Sequence, residues 1–277
     1  MKLKLSVITL LATVLSVSTA AADQLADIKS RGTLTCGTLG TAEPFSFADP
    51  ATREIAGYDI DLCKGIADDM GVELQMKPMS VEARIPELVQ GRVDVLAGNL
   101  GYTPERAEQI DYTTAYFVSL QKLLVKADSD FAALDDLGES RISAPKGSSS
   151  ERYVREALPQ ATLLTFQDPP SAFLALAQSK VDSMILSEIN AEKFVAQTGE
   201  KFKFIDQAVA EEFWGLGIRK NEPALLEQVN ATLKRLEESG EGQKIFDKWL
   251  GEATAYKLKK PFKFDEPVSD PVLRPAR

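Results

Sequence analysis

The residues best suited to chemistry in this chain lie between Asp94 and Tyr116, in the stretch DVLAGNLGYTPERAEQIDYTTAY. A strand-like run, Val93–Ala97, breaks at Gly98 and Gly101. A helix start follows, with Thr103 as N-cap, Pro104 at the first helical position and Arg106 in the first turn. A cation there opposes the helix dipole, because first turns favour acids. Free backbone N–H groups beside a guanidinium form a pocket for an anion, most naturally a carboxylate. The competing reading pairs Arg106 with Glu105 or Glu108 on a solvated face. Arg84, in the RIP segment ahead, is a second cation of the same region, which by itself reads as a snorkelled surface arginine.

The composition narrows the chemistry. There is no histidine in 277 residues, which removes the commonest general base, the Ser-His and Cys-His nucleophile pairs and most zinc sites. Two cysteines, Cys36 and Cys63, are too few for a metal cage. No metal and no cofactor are expected. The formal charge of −9 argues against nucleic acid and anionic membranes as partners, though a basic pocket can sit in an acidic protein.

The first residues read as a targeting segment. Lys2 and Lys4 precede an apolar run, Leu5–Val17, and the small residues Ser18–Ala22. This is the pattern of a secretory signal peptide over residues 1–22, cleaved after Ala22, with Ala20 as the second choice. Export places Cys36 and Cys63 in an oxidising compartment. Cys36 lies in the expected strand Thr33–Gly37. Cys63 lies on the apolar face Ile60, Cys63, Ile66, Ala67 and Met70 of the helix that follows. The two form a disulfide, or remain buried thiols.

The elements that must position these residues alternate. Strands are expected at Thr33–Gly37, Glu73–Lys77, Val93–Ala97, Gln121–Val125, Arg141–Ala144, Thr162–Phe166, Ser183–Leu186 and Phe202–Ile205. Between and after them run helices, among them Tyr58–Met70, Pro104–Ile110, Phe131–Asp135, Glu151–Ala157, Asn190–Gln197 and Pro223–Glu238. The pattern means an α/β protein with mainly parallel sheets flanked by helices. The length exceeds one comfortable core, so two lobes are expected. Changes of character near Tyr116–Ser119 and Glu211–Gly217 mark two crossings between them. Lobe one then holds 23–117 and 212–250, and lobe two 118–211. A proline-bearing extension, 251–277, reads as an extended or frayed tail.

Taken in order, these segments resemble extracellular solute-binding proteins of the polar amino-acid type, the receptor subunits of ABC importers. The likeness is carried by RGTLTCGTLGTAEPFSF (Arg31–Phe47), GYDIDLCKGIA (Gly57–Ala67), RIPELVQGRVDVLAGNLGYTPERAEQIDYTTAYF (Arg84–Phe117), PKGSSSE (Pro145–Glu151), LALAQSKVDSMIL (Leu174–Leu186) and WGLGIRKNEP (Trp214–Pro223). It implies a type II periplasmic-binding-protein fold, two lobes hinged by two crossing strands and closing on a small ligand, with a periplasmic, monomeric, non-enzymatic receptor that docks on permease subunits. It also implies that Arg106 grips the ligand carboxylate, helped by backbone at Gly98 and Gly101. Ser148 and Ser149 complete the cage from the second lobe; an ordinary serine cap would look the same. Arg84 and Phe45 are further candidates at the cleft, Phe45 alternatively being core. Where the family has an aspartate for the ligand ammonium, this chain has Ser187, with Glu188 as the substitute. Gly101 replaces a hydroxyl residue and Ala42 an aromatic, so a ligand without an ammonium is open. The alternatives are a periplasmic dehydratase of cyclohexadienyl acids using Glu188 as its acid, and a sensor-type receptor.

Overall fold

The computed structural model describes residues 23–199 and 201–274; the expected signal segment, 1–22, lies outside the described residues. A helix, Gln24–Arg31, opens the fold, capped by Asp23. Among the described residues no helix is long and apolar enough to cross a membrane.

One sheet runs through the molecule in the order Glu73–Pro78, Thr33–Thr38, Val95–Leu96, Ala210–Arg219, Ile110–Lys126, Ser183–Ser187, Arg141–Pro145 and Thr162–Phe166. At each end the pairings are parallel, as the alternating strand–helix pattern requires. In the middle the two long strands, Ile110–Lys126 and Ala210–Arg219, run antiparallel and pass from one half to the other. They are the hinge strands. Their register shifts on both sides of Gly215, between the halves. The expected helix Pro104–Ile110 stops at Ala107 because Ile110 already pairs with Arg219 at the start of the first hinge strand. The expected helix Phe131–Asp135 is instead a single 3₁₀ turn, Asp135–Leu137.

Separate cores give the two halves. Lobe one buries Leu34, Cys36, Tyr58, Ile66, Tyr116, Trp214, Leu233 and Phe246 together. Cys36 and Cys63 are joined there as a disulfide, tying the first long strand to the helix Tyr58–Met70. In lobe two the sheet is covered on both faces, and strand alternation sorts its side chains. Leu123, Val125 and Ile185 pack with Tyr153 and Val154 on one face. Leu124, Met184 and Leu186 pack with Ala172 and Phe194 on the other.

The C-terminal extension is not frayed over its described length. Phe262 and Phe264 enter the lobe-one core, and Lys260 is buried beneath them against Glu237. The Ala115 N–H donates to the Glu266 carbonyl at 2.7 Å, and Val268 lies over Gly215. Val272 and Leu273 then pair with Glu211 and Ala210, and Leu273 packs against the lobe-two core. The prolines that suggested a loose tail suit this strap, which uses few backbone N–H groups. Phe264 is fully buried, so Phe264→Ala should lower folding stability by about 3–5 kcal/mol. Urea unfolding measures this, and a change under about 1 kcal/mol would mean the tail is not part of the core.

Candidate functional site

A short helix, Pro104–Ala107, is fixed by its cap: the Thr103 hydroxyl accepts from the Arg106 N–H at 3.3 Å. That cap aims the Arg106 side chain away from Glu105 and Glu108. Its Nη1 donates to the Gly101 carbonyl at 2.7 Å and its Nη2 to the Gly147 carbonyl of lobe two at 2.9 Å. Arg84 converges on the same place. It is 3% exposed, donates through Nε to Val81 and through Nη1 to the Gly98 and Asn99 carbonyls, and reaches Gly147 through Nη2 at 3.3 Å. Gly98 and Gly101 therefore hold the two guanidiniums in place. Gly147 adopts φ 74, and a Cβ there would sit 3.0 Å from the Glu82 backbone, so only glycine brings this carbonyl between them.

Among the described residues neither arginine has an acidic ion-pair partner. Burial, and the neighbouring Arg106 charge, push the Arg84 pKa down to about 9. Arg84 is still a cation at neutral pH. Two buried like charges held by backbone carbonyls, with no ion pair among the described residues, form a site suited to an anion.

The cleft between the lobes leaves a cavity of about 40 Å³, lined by Leu39, Ala42, Arg84, Asn99, Gln121, Ser149, Ser187, Asn190, Glu212 and Trp214, among others. Ser148 caps the helix Ser149–Ala157, accepting from the Glu151 N–H, which leaves Ser149 facing the cleft. The lobes meet across the cavity through the Asn99 amide, which donates to Asn190 Oδ1 at 2.9 Å. At the rim, Lys146 pairs with Glu82, Arg152 with Glu105 and Lys193 with Glu43. Such exposed pairs contribute little.

Two expected site residues sit elsewhere. Phe45 is fully buried behind the cleft wall, edge-on to Trp214 and Phe117 with centroids 4.8 Å away in each case. It braces Trp214 rather than touching the cavity. Glu188 begins the helix Glu188–Thr198, one residue past Ser187 and so on the opposite side of the strand end. It pairs with Lys122 at 2.7 Å outside the cleft. Ser187 does line the cleft, where its hydroxyl accepts from Ser119 at 3.0 Å.

The residue that sequence reasoning missed is Glu212. Its carboxylate, 1% exposed, accepts from Gln121 Nε2 at 2.7 Å, Trp214 Nε1 at 2.7 Å and the Tyr153 hydroxyl at 2.6 Å. The readable signal was strand parity. In AEEFW, Ala210, Glu212 and Trp214 share the inward face, so an acid stood where a core residue belongs.

Residues 34–252 match the profile of the bacterial extracellular solute-binding proteins, family 3. This chain belongs to that family. GlnH, the glutamine-binding protein of an ABC transporter in Bacillus subtilis (strain 168), is 33% identical over 238 residues, 84% of this chain and 86% of its own length. A solved ancestral arginine-binding protein bound to arginine superposes with a TM-score of 0.75 at 33% identity, covering 80% of this chain and 99% of that one. An ancestral amino-acid-binding protein described as a precursor of cyclohexadienyl dehydratase reaches 0.76 at 32% identity, over 82% and 99% of the two chains. The two-lobed fold and the cleft between the lobes are thus features this family member shares with amino-acid-binding proteins.

Behind the site lies a buried acid. Asp59, in the first turn of the helix Tyr58–Met70, is fully buried. Burial raises its pKa to about 7, against the Tyr116 hydroxyl, the Asn99 backbone and the Arg84 charge, which pull it down. An unfolded aspartate titrates near 3.9 (roughly). Between these values the folded chain keeps a proton that the unfolded chain has lost, so the group's contribution is full below about pH 4 and declines as pH rises towards 7. Asp59→Asn should therefore gain stability over wild type as pH goes from about 5 to 8. Urea midpoints across that range test it; parallel curves for the two proteins would remove Asp59 as the source.

Proposed function

We propose that this chain is an exported receptor that closes on a small amino acid in the interlobe cleft and delivers it to the permease subunits of an ABC importer. The observation that carries the reading is the convergence of the Arg84 and Arg106 guanidiniums on one carbonyl oxygen, that of Gly147. A ligand carboxylate presented at that point supplies the negative charge that a carbonyl lacks. The relatives named for glutamine and arginine binding support the amino-acid class.

Ligand arriving in an open cleft meets the arginines of lobe one first. Closure adds Ser149 and the N–H groups at the start of the helix Ser149–Ala157, contacts that exist only in the shut form. That difference in contact is what lets the ligand drive closure by movement along the hinge strands. Arg84, placed beside Arg106, takes a second acceptor on the ligand, either the other carboxylate oxygen or a side-chain acceptor. The Met1–Ala22 segment directs export, and the receptor acts as a periplasmic monomer. The placement of Glu188, which Lys122 engages outside the cleft, supports binding over the dehydratase alternative that rested on it.

Arg106→Ala should weaken amino-acid binding by about 30-fold or more, the loss expected on truncating one side of a buried charge pair. Glu188→Ala should leave affinity within about threefold, since a surface pair contributes under about 1 kcal/mol. Calorimetric titration of L-glutamine and L-arginine against ligand-stripped protein measures both. Unchanged affinity in Arg106→Ala would refute the site.

A further inference from the structure

The inference concerns the other end of the ligand and rests on the amino-acid receptor reading above. Among the described residues lining the cavity, Glu212 is the only acid. Its position is unusual for a carboxylate with a purely structural role. It sits on a hinge strand, between the lobes, and is held by groups from three places: Gln121 on the other hinge strand, Tyr153 on the lobe-two helix and Trp214 on its own strand. Two of these donors use Oε1 and one uses Oε2. A carboxylate offers about four acceptor sites, so Oε2 retains capacity.

Oε2 is also the atom that lies closest to Gly101. A Cβ added at Gly101 would lie 2.2 Å from it. No side chain other than glycine leaves Glu212 this position. The same Gly101 accepts from Arg106 at 2.7 Å through its carbonyl. One residue therefore has a guanidinium on its carbonyl and a carboxylate against its Cα. Charges of both signs thus flank one glycine, as recognition of a zwitterionic α-amino acid requires.

We propose that Glu212 is the acceptor for the ligand's α-ammonium, and that Gly101 is glycine so that this carboxylate reaches the cleft. Selection for the ammonium then comes from a hinge strand, and Ser187 needs no charge. Gln121, Tyr153 and Trp214 position the carboxylate and do not themselves choose the ligand.

The experiment uses the full mature chain, stripped of ligand, and pairs each amino acid with its des-amino counterpart: L-glutamine with glutaramate and L-arginine with 5-guanidinopentanoate. Glu212→Gln keeps the shape and most of the hydrogen bonding but removes the charge. It should weaken the tighter amino acid about 10- to 100-fold, the range for a charge-assisted hydrogen bond, and change the des-amino analogue less than about threefold. Glu212→Asp, which keeps the charge but shortens its reach, should show the same selective loss, so the test survives if Glu212→Gln does not fold. Equal affinity of Glu212→Gln and wild type for the amino acid overturns the proposal. So does an equal loss for both members of a pair, which would make Glu212 a structural tether. A wild-type chain that binds neither amino acid, in contrast, overturns the receptor reading for these ligands and the Glu212 assignment with it.

Discussion

Two positive charges buried side by side, with no ion-pair partner among the described residues, are the constraint around which this molecule is arranged. Burial first and the neighbouring Arg106 charge second lower the pKa of Arg84, which records the cost of keeping both charges out of water. The chain answers with backbone dipoles. Val81, Gly98, Asn99 and Gly101 turn carbonyls towards the guanidiniums from lobe one, and Gly147 adds one from lobe two. Carbonyls that point into a cleft are not available to a sheet, so the strand Val95–Leu96 ends early and an irregular loop follows before the capped helix Pro104–Ala107. The loop's shape is a consequence of the charges it must surround.

The same constraint explains how binding and movement are joined. Both arginines donate to the lobe-two carbonyl of Gly147. A neutral carbonyl holds two cations weakly, and a carboxylate holds them well. The closed cleft is therefore ready to exchange a poor internal acceptor for a better external one. The rim ion pairs add orientation but little energy, which leaves the interior to decide affinity.

Much of this was legible in the sequence. The cap-and-proline signature TPER fixed the helix start and, with it, Arg106. Glycines ended the helix Tyr58–Met70 and followed Pro223–Glu238 within two residues, so both elements have the expected bounds. The two crossings were visible as changes of character, but not as the 17-residue strand Ile110–Lys126, whose polar residues alternate with apolar ones only where one face is wet. Glu212 stayed hidden for a different reason. Its partners Tyr153 and Gln121 lie 59 and 91 residues away, and no local pattern reports contacts of that range. Glu188 drew attention because it is adjacent to Ser187 in sequence. One step along a strand end is enough to turn a side chain to the other side. Phe45 follows similar logic: an aromatic next to the cleft supports the wall, and Trp214 is the wall.

The strap formed by the last described residues changes what opening the cleft involves. It is rooted in lobe one by Phe262 and Phe264 and stitched to lobe two by Val272 and Leu273. The described chain thus crosses between the halves three times, where two hinge strands alone would suffice. Any swing of one half away from the other must shear or peel the two-residue ladder at Ala210 and Glu211. The strap is in this sense a mechanical gauge of lobe separation, slack or taut according to how far the halves have parted.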